Sequence, residues 1–510
     1  VNDPGGAVPH VFVGLDVGTG STKGVAVTAD GRVLATASRP HRMSMPRPGW
    51  AEMDPEGAWW PDVAAVSREL VAEVGAEAVA GVCVSGMGPC LVLTDADGRP
   101  VRPAVLYGID GRAGRQIASL TERLGAEAVR ARCGKDLTSQ AVGPKLLWVR
   151  EEEPEAFARA RRWWGLSSWV AGRLTGEYVL DHQSASQCDP LYDVAAADWA
   201  DDWLDDVAGH LERPRLVWPH EVVGTVTAAA ASETGLPQGV PVSAGTVDAW
   251  AEAFSVGVRD TDDVMLMYGS TMFLVRPLDH FTVRPGLWST MGVHPGSRTL
   301  AAGTATSGSL VRWVHDLTGG APLGSLEAEA AAVPAGAEGL VLLPYFAGER
   351  TPVQDPRARG VAIGLTLRHG RGHVLRAAYE GIAFGVRQIL ELFDTVPPSH
   401  PATPSRLVAV GGGTQSALLT QVVSDVCGRP QVVPEETIGA SYGSALLSAI
   451  GTGSVAPETD WANVGRVVEP DPAACERYDR IYPVFTEMYA DTARHMHRLA
   501  DLADEDAQSR

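Results

Sequence analysis

The chain has 510 residues, 45% hydrophobic and 20% charged, and carries a formal net charge of −20 at pH 7. That length exceeds one ordinary domain, and that composition is globular with a sizeable core. So large an acidic excess argues against nucleic-acid or anionic-membrane partners, and it requires that any phosphorylated ligand be held by local donors and a cation.

Residues 11–16 read as a buried strand. Val17-Gly18-Thr19-Gly20-Ser21-Thr22-Lys23 reads as a turn rich in glycine and hydroxyls, and residues 24–28 as a second strand. Asp30-Gly31 turns the chain into a third strand at 33–36. A dinucleotide or Walker loop opens a helix. This loop opens a strand and has neither glycine pattern. A hairpin whose amides and hydroxyls face a phosphate is the solution of actin-like ATPases. In that setting Asp16 would hold a metal ion, usually through water, and Lys23 could offer charge to phosphate oxygens; the alternative is a plain hairpin with polar residues at its turn.

Residues 40–60, rich in Pro, Met and Trp, read as irregular and lead into a helix over 55–74. Residues 80–85 form a core strand, and 91–94 pair with it by pattern. Met87-Gly88-Pro89 lies between them. One more strand, 103–107, ends at Asp110-Gly111-Arg112. Loops at strand ends are where a small ligand sits. Residues 145–150 and 167–175 read as helices, the second leading to His182, a histidine more often structural than catalytic. No Ser/His/Asp or HExxH pattern is present.

Near mid-chain the apolar run 240–247 ends in small residues and one carboxylate, Asp248, followed by Ala249-Trp250. A carboxylate at a strand end, in a crevice between two halves, takes a proton from a substrate hydroxyl. The competing reading is a helix N-cap. The chain then begins again, with a strand at 264–268, the hydroxyl turn Gly269-Ser270-Thr271 and a strand at 272–275. This echo of the first hairpin predicts two related domains with a cleft between them. Helices follow at 380–392 and 418–427. A strand at 405–410 runs into Gly411-Gly412-Gly413-Thr414-Gln415-Ser416, a glycine loop that opens a helix. Either a phosphate or ribose approaches it, or it is a plain tight turn. Residues 437–445 open another helix, and a long helical pattern runs from about 476 to the charged end.

The six cysteines, Cys83, Cys90, Cys133, Cys188, Cys427 and Cys475, have neither CxxC nor metal-ligand spacing, so buried reduced thiols of a cytosolic protein are expected. The first ten residues lack a signal-peptide pattern, and no apolar run reaches membrane-spanning length. The expectation is a cytoplasmic protein with no membrane partner.

Leu343-Pro344-Tyr345-Phe346-Ala347-Gly348-Glu349-Arg350-Thr351-Pro352, then Asp355-Pro356, Arg359-Gly360, Gly364-Leu365 and the run from His373 to Gly381, resembles the C-terminal signature of the FGGY carbohydrate kinases. Lys145-Leu146-Leu147-Trp148 resembles the core of that family's N-terminal signature. The resemblance spans residues 11 to about 482. Ala362, Gln140 and Val142 depart from the signatures. It implies an α/β fold of two actin-like (ribonuclease-H-like) domains, each a mixed β-sheet flanked by helices, with a cleft between them. The N-terminal domain is expected over 1–254 and the C-terminal one over 255–510.

The resemblance also implies ATP and Mg²⁺ as cofactors and a small sugar or polyol as substrate, and it leaves a homodimer open. By the same resemblance Asp16 lies near the metal, and Gly18, Thr19, Gly20 and Lys23 face the nucleotide phosphates. Asp248 is the catalytic base. Gly269, Ser270 and Thr271 form the second phosphate loop, and Gly412, Gly413 and Ser416 the adenosine side. Met87, Gly88 and Asp110 fall in the region that lines the sugar pocket.

The 345–352 segment is similar to the xylulose-kinase-like branch. That branch carries Gln-Met-His where this chain has Met87-Gly88-Pro89, and an amide residue where it has Ala249. Two hydroxyl-binding side chains are missing. A substrate that is smaller, less hydroxylated, or held by Tyr107, Asp110, His182 or Trp250 is therefore expected. A different class, a regulatory actin-like ATP-binding protein, is disfavoured because both Asp16 and Asp248 are kept.

Overall fold

The computed structural model describes residues 10–259, 262–398, 405–435 and 438–508, without the side chains of 504–508. Thr437 in the expected 437–445 helix start, most of the stretch read for a signal peptide, and the last two residues lie outside the described residues.

The apolar run at the start of the chain is buried along almost all its length because it becomes the middle of a sheet covered on both faces. It forms β1 (Val11–Val17) and is followed by β2 (Ser21–Thr28), β3 (Val33–Pro40), β4 (Val79–Gly86), β5 (Val222–Thr225) and β6 (Pro241–Val247). They build a six-stranded sheet in the order β5-β6-β4-β1-β2-β3. β1 is antiparallel to β2 and parallel to β4.

The second sheet has seven strands: β7 (Val264–Tyr268), β8 (Met272–Leu278), β9 (Trp288–Met291), β10 (Arg298–Gly303), β11 (Leu407–Val410), β12 (Gln431–Pro434) and β13 (Val464–Val468). Their order is β9-β10-β8-β7-β11-β12-β13. β7 is antiparallel to β8 and parallel to β11, the same relation as β1 to β2 and β4. The duplication read from the two hairpins thus extends through whole sheets.

Three local expectations change. Lys23 lies inside β2, directly across from Asp16, and the turn is confined to Gly18, Thr19 and Gly20. The strand expected at 91–94 does not pair with β4. Both edges of β4 are taken by β1 and β6, so Val92–Thr94 pairs instead with Arg162–Trp164. Of residues 103–107 only Ala104–Val105 is a strand, paired with Glu52–Met53.

Helix α1 (Trp60–Val74) turns Val63, Val66 and Leu70, three to four residues apart, into the first core. Next come α2 (Asp248–Ser255), α3 (Arg371–Asp394), α4 (Ala417–Cys427), α5 (Ala440–Gly451) and α6 (Pro472–Gln508). α3 runs through the second core, and Leu375, Ile382, Phe384, Ile389 and Phe393 are fully buried there. Each such side chain contributes about 1.5–3 kcal/mol.

Two helices cross between the halves. α5 lies between β12 and β13 of the second sheet in sequence, yet its Tyr442, Ala445 and Leu446 pack with Phe12, Val25 and Cys83 of the first. α2 follows the first sheet, and its Trp250 and Ala253 pack with Met265, Val275 and Val410 of the second. The cleft between the sheets is therefore framed by a helix lent from each side. All six cysteines are free and four are buried; burial pushes the Cys83 thiol up to about 12. Among the described residues no helix is long and apolar enough to cross a membrane.

Candidate active site

β6 stops at Val247 and α2 starts at Asp248, so the carboxylate sits where a strand end meets a helix N-terminus. The positive end of the helix dipole favours a negative charge there. Among the described residues the one hydrogen bond to the Asp248 side chain is from its neighbour, Ala249 N to Oδ1, at 2.7 Å. The rest of the carboxylate is left for the cleft.

Both glycine and hydroxyl turns reach the same cleft. In the first, Gly18 N donates to Ser21 O (3.0 Å), and His41 braces the turn from behind. His41 Nε2 lies 2.8 Å from Gly18 O, and Nδ1 lies 2.8 Å from Asp62 Oδ2. Asp16 precedes the turn and accepts from Ser85 Oγ (3.1 Å). In the second turn Gly269 N donates to Thr271 O, while Ser307 N donates to Ser270 O.

Gly412 and Gly413 lie beside the second turn because β7 and β11 are parallel neighbours with Met267 across from Val410. Gly412–Gln415 is a short 3-10 turn, and Ser416 Oγ caps α4 by accepting from Leu419 N.

The carboxylates of this cleft act on one another. Burial and the Asp16 charge push Asp248 up to about 7, and burial raises Asp16 despite Ser85 and Lys23. Glu252, which sequence reasoning did not single out, is pushed up to about 7 by burial and then by Asp16 and Asp248. Its signal was its spacing, since four residues after Asp248 places it on the same face of α2. Three acids and one lysine leave the locus short of positive charge. Among the described residues no three His, Cys, Asp or Glu side chains close a metal cage. The donor set fits a hard cation that brings phosphate and water ligands with it, as Mg²⁺ does.

Asp248 opens onto a cavity of about 180 Å³. It is smaller than the roughly 300–1,000 Å³ of drug-sized sites, so its occupant is small. Thr19, Met87, Gly88, Tyr107, Trp250 and Thr271 line it, together with Gln140, Gln187, Phe273, Trp288 and Arg350, which were not anticipated there. Tyr107 Oη and Thr19 Oγ1 are 3.0 Å apart, which ties the cavity to the first turn. Trp250 Nε1 donates to Thr299 Oγ1 (2.9 Å), so Trp250 offers its ring and not its N–H. Gly20, Lys23, Gly269, Ser270, Gly412, Gly413 and Ser416 do not line this cavity; Lys23 lies in β2, and the others lie in or beside the turns around it.

Two expected substrate residues are not brought to the cavity. The Asp110 side chain is fully buried, paired with Arg112 Nη2 at 2.7 Å and accepting from Ala51 N at 2.7 Å. Arg112 also bonds Glu52 and lies over the Trp50 ring. Asp110 is thus consumed in a structural ion pair. Asp110→Ala is expected to cost about 1–3 kcal/mol, because Ala51 N loses its buried acceptor and Arg112 keeps only Glu52 as a carboxylate partner. Thermal unfolding should show the loss, and the KM values of the folded fraction should not. His182 turns to Tyr192 Oη (2.7 Å) and lies against Trp218, with ring centroids 4.4 Å apart. Burial lowers its pKa. Its aromatic neighbours hold it outside the cavity.

A model of the N-terminal domain of the FGGY family of carbohydrate kinases matches residues 11–255, and a model of the C-terminal domain matches 265–452. The xylulose kinase of Escherichia coli is 30% identical over 448 residues, covering 86% of this chain and 90% of its own. The xylulose kinase of Lactococcus lactis subsp. lactis is 29% identical, covering 97% and 99%. The crystal structure of xylulose kinase from Rhodospirillum rubrum has a TM-score of 0.87 at 35% identity, covering 96% of this chain and all of that one.

Proposed function

The chain belongs to the FGGY family of carbohydrate kinases, in its xylulose-kinase-like branch, and on that premise we propose that it phosphorylates a primary hydroxyl of a small ketose or polyol with ATP. Asp248 accepts the hydroxyl proton as the oxygen attacks the γ-phosphorus, the bond from that phosphorus to the β,γ-bridging oxygen breaks, and ADP leaves. The observation that carries this reading is the placement of Asp248 at the mouth of α2, in a small cavity also lined by Thr19 and Thr271 of the two turns.

A base poised near neutral, reached by a hydroxyl held beside it, suits general-base work. The amides and hydroxyls of the two turns hold the transferring phosphoryl group from both sides, and positioning of this kind supplies most of the rate in phosphoryl transfer. Asp16 would hold Mg²⁺, and the ion, bound with the triphosphate, would supply the positive charge this acidic locus lacks. Gly88 and Ala249 present no hydrogen-bonding side chain, while Trp250, Phe273 and Trp288 present aromatic faces. That lining supports a substrate with fewer polar contacts than two added side chains would give.

An ADP-release assay with Mg·ATP against tetruloses, pentuloses, hexuloses and polyols tests the reading. The expected result is strong turnover of one compound and weak turnover of the rest. ATP binding with no turnover of any compound would overturn it in favour of a regulatory ATP-binding protein.

A further inference from the structure

We propose that Gln187 is a specificity-determining residue of the cavity, its side-chain amide bonding a sugar oxygen other than the hydroxyl deprotonated by Asp248. This rests on the kinase reading above.

Gln187 is 8% exposed and lines the same cavity as Asp248. Its Nε2 is buried and has no hydrogen-bond partner among the described residues. Buried donors are nearly always paired, and one left unpaired lowers stability. A donor in a ligand cavity escapes that cost once the ligand supplies the acceptor.

The backbone around Gln187 is fixed. Its N–H donates to Ser184 O (3.1 Å) and its carbonyl accepts from Val142 N (3.4 Å). The preceding Ser186 donates from Oγ to Gln183 O, accepts from Met291 N, and takes the Lys135 ammonium on its carbonyl at 2.9 Å. Lys135 also reaches Ser289 O across the cleft. The backbone that carries Gln187 is thus held, and its side chain forms part of the wall of the cavity.

Gln140 adds the same chemistry. Its Oε1 accepts from Gly108 N (2.9 Å), which leaves the amide donors as its free end. Two amide groups therefore offer donors in a cavity where Gly88 and Ala249 supply none. The ligand class that fits is a ketose or polyol with an acceptor oxygen beyond the phosphorylated hydroxyl. A site built to bond an oxygen discriminates strongly against the analogue that lacks it.

The test compares wild type with Gln187→Met, which keeps the length and removes the amide. Sugar KM, ATP KM and Tm without ligand are measured, on the sugar the wild type turns over best and on its deoxy analogues. The sugar KM should rise roughly 10- to 100-fold. ATP KM should stay constant, and Tm should hold or rise because an unpaired buried donor is gone. At least one deoxy analogue should be turned over equally by both proteins. A sugar KM unchanged in Gln187→Met overturns the proposal, as does a fall in Tm with sugar and ATP KM rising together. If the wild type turns over no sugar, the kinase reading itself fails and takes this inference with it.

Discussion

Asp248→Asn is expected to lower kcat by roughly 100-fold or more while leaving the KM for ATP within about twofold. The substitution is nearly isosteric. Asparagine Oδ1 still accepts from Ala249 N, the one hydrogen bond the carboxylate makes among the described residues, so the start of α2 is preserved. What is lost is a group able to take the hydroxyl proton. Burial and Asp16 raise the native carboxyl to about 7, a value matched to proton transfer near neutral pH. The variant also removes one of three acids crowded at this locus, so nucleotide affinity has no electrostatic reason to fall. Single-turnover phosphorylation of the best sugar, run beside ATP binding by calorimetry, separates these effects. Near-normal kcat would remove Asp248 from the base role. Loss of ATP affinity in step with kcat would make it a nucleotide-site residue.

The features legible in the chain were those written in consecutive residues. The two hairpins were visible because an apolar run, a glycine and hydroxyl turn and a second apolar run are local, and so was their repetition. Asp248 was visible as a carboxylate closing a strand. Gln187, Trp288 and Arg350 were not, because they reach the cavity through contacts more than a hundred residues apart in some cases, such as Lys135 with Ser289. The exchange of α2 and α5 between the sheets leaves no local mark either, since both simply look apolar. Asp110 misled for a physical reason. A carboxylate in a loop at a strand end looks available until its neighbour two residues on, Arg112, folds back to neutralise it. Competition for strand edges is equally invisible, and it is why the 91–94 strand pairs elsewhere.

Gly245→Ala should be the most damaging small substitution near the site, and it tests how the strand aims its carboxylate. β6 pairs with β4 through Ser243 across from Cys83 and then Thr246 across from Ser85, so one extra residue is accommodated between them. Such a bulge shifts which side chains face which side, since a one-residue slip in a strand reverses them all. Gly245 makes the bulge possible with φ of +74°, and a Cβ there would stand 1.8 Å from Val84 O. The left-handed conformation alone costs alanine about 1–2 kcal/mol. The collision is with backbone, so no rotamer relieves it, and overpacking of this kind adds about 1–3 kcal/mol. A Tm lower by roughly 10 °C is expected. Because relief requires β6 to move, Asp248 moves with it, and kcat should fall on the order of 100-fold in the protein that remains folded. Gly239→Ala is the control. Its φ is +87°, but nothing lies within 4 Å of the added Cβ. That variant carries the conformational cost without the collision, so it should lose a few degrees of Tm and keep its kcat. Equal losses in both variants would mean that backbone strain alone, and not the aiming of Asp248 by the bulge, governs this strand.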